Sequence, residues 1–479
     1  MTIERRLFAE AGHFCIELAV LCLPAFLNRS PLLCSDTQAY YTGGRTAIEK
    51  IASLLHPAQN AAVENALREA RGIRSAYFAL YEYVTANIGT LWLTIAIQGA
   101  IVLLLLRLIF AMLCPAHSRW SMTAIVLFLA LFSTASWTVS YVMPDVFNAI
   151  VALAIIAVVV FWGRLGRLQC TALTIVIAAS VTMHLTNLIT AIGTLALATL
   201  LRRRLWPSVM VGGAVIAGVF ALLLVGRAGF HQWTIAPQSP PFLTARIIAD
   251  GPGRLYLRTN CPQLGWVMCR YLDRLDVGAD DFIWHENGVY SAHDVTPEDR
   301  AAIRAEDKRL YIAAALAYPG LWLRSVVLNL ARQLGDFTLE NHIMPSWATY
   351  TPAGMEIWPK DDLLASTITH REPELEMAWD KALYAAVLGS IVYLLLLAYQ
   401  RALGRDEADV VILAMAAAWL SALAGALSEV APRYETRAIW LIPAVAALLF
   451  ASRRAVLAAA SPDPVGDHSA SFSCGMAER

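Results

Sequence analysis

Residues 31–44 read PLLCSDTQAYYTGG, and Asp36 stands in them where the chain first leaves a strongly apolar segment. A carboxylate within a few residues of a membrane-spanning helix is costly against lipid, so it is expected to face water or a cavity. The stretch therefore predicts an all-α polytopic membrane protein whose chemistry sits at one membrane face, with Asp36 as its first candidate residue.

Composition agrees. Of 479 residues, 58% are hydrophobic and 15% charged, which excludes an ordinary soluble multi-domain protein. The 37 Lys and Arg balance the 37 Asp and Glu, so there is no bulk basic field for nucleic acid. No Walker A loop, HExxH or CxxC pair occurs, which argues against an ATP-driven pump.

Upstream of Asp36, apolar residues from about Phe14 to Leu27 follow Arg5 and Arg6 and read as an uncleaved first span that contains Glu17. Downstream, Ile48, Ile51, Leu54 and Leu55 form one helical stripe, and Val63, Leu67 and Ala70 form another. These are expected as amphipathic helices on the membrane surface, with a soluble helical hairpin as the alternative. Further spans are expected at 88–113, 121–141, 146–162, 170–186, 188–201, 208–226, 383–400, 410–427 and 438–452, which makes about ten transmembrane helices. The chain divides accordingly into 1–227, an amino-terminal membrane module; 228–381, a mixed and mainly helical periplasmic domain; 382–454, the last spans; and 455–479, a disordered tail.

The arginines orient this arrangement. With the amino terminus in the cytoplasm, the inner loops hold Arg119, Arg164, Arg167, Arg202–Arg204, Arg401, Arg405 and Arg453–Arg454, while the outer loops at 141–146 and 185–188 carry no Arg or Lys. One outer loop breaks the rule: 429–437, EVAPRYETR. Within 228–381, Thr296-Pro297-Glu298-Asp299 reads as a helix start. The apolar run 310–323, interrupted by Pro319-Gly320, is expected as two helices resting on the outer surface. Cys261 and Cys269 are close enough in a polar segment to close a small disulfide loop in an oxidising compartment, or to remain two free thiols.

Four features from distant parts of the chain converge on the outer face: Asp36, Asp145, His184, and Arg433 with Arg437. Asp145, in YVMPDVF, either faces the outer boundary or merely caps the next span. His184 either touches a substrate phosphate or is an interfacial polar residue. Arg433 and Arg437 match phosphate oxygens with a fork of donors, with ion pairs to Glu429 and Glu435 as the competing arrangement. Asp280, Asp281 and His285 are polar residues of the same compartment.

An acid after the first span, an amphipathic first outer loop, a second acid after the third span and an arginine-bearing loop before the last span resemble the GT-C superfamily of integral-membrane glycosyltransferases. The lipid A aminoarabinose transferases and the protein O-mannosyltransferases are the nearest comparison. The resemblance covers roughly residues 10–200 well and the last two spans loosely. It implies that Asp36 is a catalytic base and that Asp145 helps to hold the acceptor or a metal. It further implies that Arg433 and Arg437 bind the phosphate of a polyprenyl-phosphate-linked sugar. With His184, the adjacent Tyr40, Tyr41 and Tyr434 are expected to bind substrate. Ser-Asp-Thr stands where the mannosyltransferases have paired Asp-Glu, so a divalent metal ion stays open. The expected enzyme is a multi-pass protein of the bacterial inner membrane with its site facing the periplasm. It moves sugar to an envelope lipid, glycan or protein among membrane lipids. A lipid or polysaccharide flippase or transporter, and a non-catalytic assembly protein, are the other classes the residues allow.

Overall fold

The computed structural model describes residues 3–53, 75–115, 118–339 and 373–460. The second expected surface stripe, at 63–70, Leu54 and Leu55 of the first, and the tail beyond 460 lie outside them. Among the described residues the chain is helical throughout, and its one isolated β-bridge joins Leu32 to Tyr141.

The first half runs through α1 (Ile3–Leu21), α2 (Leu23–Leu27), α3 (Ser35–Ser53), α4 (Ala76–Ile88), α5 (Leu91–Leu113), α6 (Arg119–Phe132), α7 (Ala135–Ser140) and α8 (Val146–Phe161). It continues with α9 (Arg167–Met183), α10 (Leu185–Arg202) and α11 (Leu205–Phe230). A second group follows: α12 (Phe242–Ala249), α13 (Pro252–Leu264), a 3₁₀ stretch at Val267–Arg274, α14 (Ala279–Trp284), α15 (Pro297–Ala317) and α16 (Pro319–Gly335). Then come α17 (Pro373–Tyr399), α18 (Arg405–Ala426), α19 (Arg433–Ile439) and α20 (Leu441–Ala460).

Seven helical stretches are long and apolar enough to cross a bilayer: Leu91–Leu113, Val146–Arg164, Leu185–Arg202, Leu205–Phe230, Met377–Tyr399, Arg405–Ala426 and Arg433–Ala455. The protein is therefore an all-α, multi-pass membrane protein. The other three expected spans fall on helices that miss that length or apolarity. α6 and α9 are apolar but have 14 and 17 residues. The first is divided at Cys22, where α2 begins with Pro24 in its first turn.

α8 is the centre of the bundle. Every one of its residues is buried, which is why its sequence shows no polar face. It packs against α5, α9, α10 and α18. Charges inside the bundle are paired. Glu17, fully buried in α1, accepts from Arg107 at 2.6 Å and from the Thr123 hydroxyl at 2.9 Å. Removing one partner of such a pair strands a charge, so the glutamate that interrupts the first apolar segment is a fixed part of the packing. The arginines that set the charge bias gather at one end of the bundle. Arg164 and Arg202 meet Asp406, Arg202 also meets Asp409, and Arg453 meets Glu407 at 2.9 Å. Asp406 and Glu407 lie in the first turn of α18, where the helix dipole favours carboxylates.

Residues 242–314 bury a separate core around Ile247, Leu257, Phe282, Tyr290 and Leu310. Cys261 and Cys269 are joined by a disulfide within it. Thr296 caps α15 by accepting from the Asp299 amide at 3.1 Å, as its sequence predicts. Pro319 starts a new helix, and the chain bends there by 110°. Of the two helices, α16 packs against α18. Its Gln333, fully buried, donates to the Ala431 carbonyl at 2.8 Å and accepts from the Ala431 amide at 3.1 Å. That two-way clamp satisfies the buried amide and fixes the loop leading to Arg433.

Candidate functional site

Two extended segments begin the site. The Leu32 amide donates to the Ser140 carbonyl and the Val142 amide to the Leu32 carbonyl, each at 2.9 Å. The Thr37 hydroxyl adds a bond to the Val142 carbonyl at 3.2 Å, and the buried Gln98 amide holds the Tyr141 carbonyl at 3.1 Å. Residues 31–37 are thereby tied to residues 140–142, beside Asp145. Asp36 lies in the first turn of α3, where the helix end stabilises a carboxylate.

The third segment is α19. Arg433 and Arg437 are one helical turn apart and so share a face. Tyr434 lies between them, with its ring centre 5.0 Å from one guanidinium and 4.9 Å from the other. Arg433 reaches Asp36 at 3.4 Å and donates to the Tyr434 hydroxyl at 3.1 Å. Arg437 reaches Asp145 at 3.6 Å and donates to the Ser421 hydroxyl at 2.8 Å and the Thr186 hydroxyl at 3.0 Å. The short helix is anchored by Thr134, which donates to the Thr436 carbonyl, and by Ser421, which donates to the Tyr434 carbonyl, both at 2.6 Å.

Above these pairs is a cavity of about 800 Å³, within the size range of small-molecule sites. Asp36, Tyr40, His184, Arg433 and Tyr434 line it from the bundle. Asp280, Asp281, Trp284 and His285 of α14 and its flank line it from the second core, and Glu429 from the loop before α19. Leu222 and Val225 of α11, with Pro237, Pro240 and Phe242, make an apolar wall. The cavity lining thus combines charged and apolar side chains.

Several expected residues lie elsewhere. Asp145 and Arg437 are among the most buried charged groups, at 4% and 0% exposed, and neither lines the cavity. Asp145 makes no capping hydrogen bond at the start of α8, so its partner is Arg437 and not the helix end. Arg437 is held by Asp145, Ser421 and Thr186 inside the protein and cannot meet a phosphate in the cavity without leaving them. The arginines pair with Asp36 and Asp145; no ion pair joins them to Glu429 or Glu435, and Glu435 is fully buried. Tyr41 does not line the cavity and lies tilted against Tyr83, ring centres 5.1 Å apart. Among the described residues no group of three or more His, Cys, Asp or Glu is placed to hold a metal ion, so the donor set does not fit a divalent cation bound by side chains alone.

Glu429 was legible only as an ion-pair partner. Burial raises its carboxyl to about 7, and neighbouring Asp280 adds to the effect. Burial likewise raises Asp280, with Asp281 second, while a side-chain hydrogen bond with Glu429 works the other way. The two acids face each other across the junction of the bundle and the second core. Trp284 carried no signal, because a tryptophan in a polar segment looks the same whether it faces a cavity or the surface.

No protein-family model, curated protein or solved structure matches the chain.

Proposed function

We propose that the protein is a membrane glycosyltransferase of GT-C type that moves a sugar from a polyprenyl-phosphate donor to an envelope acceptor. The observation that carries this reading is the Asp36–Arg433 pair on the wall of a cavity lined by both charged and apolar side chains. A base and a phosphate-matching cation are adjacent there, beside a surface suited to a lipid chain.

In the reaction, an acceptor hydroxyl attacks the anomeric carbon of the donor sugar while its proton passes to the Asp36 carboxylate. The bond from the anomeric carbon to the phosphate oxygen breaks, and its electron pair stays on the departing lipid phosphate. Arg433 stabilises that charge. A single displacement of this kind inverts the anomeric centre. Arg437 and Asp145, assigned to substrate from the sequence, act in this scheme by fixing Tyr434 and the α19 turn from below.

The orientation belongs to the same proposal: ten spans, the amino terminus in the cytoplasm, and the cavity open to the periplasm of a bacterial inner membrane. It is supported by the clustering of Arg164, Arg202 and Arg453 at α18's first turn and the loop before it, each about one helix along the chain from residues that line the cavity. Nucleotide sugars are cytoplasmic, so an outward-facing transferase needs a donor already carried across on a lipid.

Asp36→Asn is the test. Sugar transfer by the purified protein in lipid should fall by about 10²–10⁴-fold, the usual worth of a general base, while binding of polyprenyl phosphate persists. Unchanged transfer would remove Asp36 as base. A product that retains the donor's anomeric configuration would remove the single displacement.

A further inference from the structure

We infer that His184 is a neutral hydrogen-bond donor to the phosphate group of the substrate, held in the Nε2–H tautomer by a relay that begins at Asp145 and Arg437. The inference rests on the functional reading above for the presence of a phosphate, and on the hydrogen bonds below for the state of the ring.

His184 is the extended residue between α9 and α10, and it lines the cavity. The Thr186 amide donates to its Nδ1 at 3.3 Å. An amide N–H can only donate, so Nδ1 carries a lone pair and the ring proton is on Nε2. The Thr186 hydroxyl lies 2.6 Å from the same Nδ1. That hydroxyl already accepts from Arg437 at 3.0 Å, which frees its own proton for Nδ1. Arg437 in turn is paired with Asp145 at 3.6 Å. Both contacts push the ring toward one tautomer.

The ring also stays uncharged. Nδ1 already accepts from the Thr186 amide and faces the Thr186 hydroxyl, so a second ring proton would have to displace both contacts. Asp145, Asp36, Arg437 and Arg433 act on the ring, and Asp280, Asp281 and Glu429 line the same cavity. A neutral Nε2–H beside the Arg433 guanidinium gives the cavity a second donor for phosphate oxygens without a second cation. It also gives Asp145 and Arg437 a reason to sit below the cavity floor: they set the ring and do not touch the substrate. His184 would contact substrate directly; Thr186, Arg437 and Asp145 are positioning residues.

The experiment measures binding of undecaprenyl phosphate to the full chain in nanodiscs, with inorganic phosphate in solution as a second arm. His184→Ala should weaken undecaprenyl phosphate about tenfold, the loss of one hydrogen bond to a charged group. His184→Gln, which keeps a neutral N–H near the Nε2 position, should stay within about threefold of the parent. Thr186→Val should weaken binding by about threefold to tenfold, and Thr186→Ser should not. In the ¹⁵N spectrum of the labelled His184 ring the parent should show a bare Nδ1 and a protonated Nε2 and should not titrate between pH 5 and 8; Thr186→Val, which loses the hydroxyl but keeps the backbone amide on Nδ1, should also stay neutral and should gain some of the Nδ1–H tautomer. Weakening of inorganic phosphate in parallel would assign the site to the phosphate group alone, and weakening of the lipid only would assign it to a lipid-linked phosphate. Equal binding by the parent and His184→Ala overturns this inference and leaves the glycosyltransferase reading intact. Failure of the parent itself to bind either phosphate removes both. A parent ring protonated on Nδ1 overturns the relay whatever the affinities.

Discussion

Arg433 and Asp36, 397 positions apart in sequence, face each other at 3.4 Å on the cavity wall. The contact is longer than a tight ion pair and each partner is only partly exposed, at 23% and 16% of its side chain. A phosphate oxygen can therefore join the guanidinium without first breaking a saturated pair. One turn further along α19, Arg437 and Asp145 repeat the arrangement in the protein interior. The two pairs are chemically alike and differ in access, and the predictions follow from that difference.

Arg433→Lys should not behave as a conservative change. Lysine keeps the charge but loses the planar fork that reaches Asp36 and the Tyr434 hydroxyl together. Donor affinity should fall about tenfold in Lys and further in Gln, with thermal stability nearly unchanged. Titration with undecaprenyl phosphate and a melting curve on the same sample check both halves; a large fall in melting temperature would mean that Arg433 is structural.

Arg437→Gln should instead behave as a stability mutation. It leaves Asp145 buried without its cation, a change that typically costs about 3–5 kcal/mol. Pairing it with Asp145→Asn removes the stranded charge and should recover part of the loss, so the double variant should melt above Arg437→Gln alone. Additive losses in that cycle would show that the two side chains are not coupled.

How much of this was legible beforehand follows from which forces act locally. The helices of the bundle are read from apolar length, because bilayer thickness imposes it residue by residue. Asp36, Asp145, His184 and the arginines could be gathered onto one end because the alternation of spans fixes ends without needing contacts. Access could not be read. Whether Asp145 faces a cavity or Arg437 depends on the Leu32–Tyr141 bridge and on the Gln98 amide, long-range bonds with no periodic signature. The same holds for α16: its packing on α18 and the Gln333 clamp on Ala431, in the loop after that helix, are long-range contacts that leave no periodic signal.

Glu429 makes the protein's stability depend on pH with a definite sign. Its folded value of about 7 lies above the ordinary 4.5, so between those values the folded state holds a proton that the unfolded state has lost. Stability contributed by this group is therefore full in acid and declines as pH rises through that window. Glu429→Gln, which cannot ionise, should melt close to the parent at pH 5 and above it at pH 8. A gap between the two melting temperatures that does not widen with pH would remove Glu429 as the cause, and a gap that persists in Asp280→Asn would show that burial alone, without its neighbour, suffices.

Cys261 and Cys269 connect stability to the side of the membrane on which the second core lies. The disulfide closes a loop of 8 residues in sequence separation inside the core formed by α12 to α15. Constraining so short a loop is worth about 2–3 kcal/mol in the chain-entropy account. A serine pair at these positions should lower the melting temperature of the whole chain, and single serines should do the same without an additive second step. Such a bond persists in an oxidising compartment and is rare in a reducing one. If the cavity opens to the periplasm, these two cysteines should resist maleimide in intact cells until a reductant is added. Reactivity of both before reduction, in a chain that still binds polyprenyl phosphate, would place the second core on the cytoplasmic side and reverse the proposed orientation.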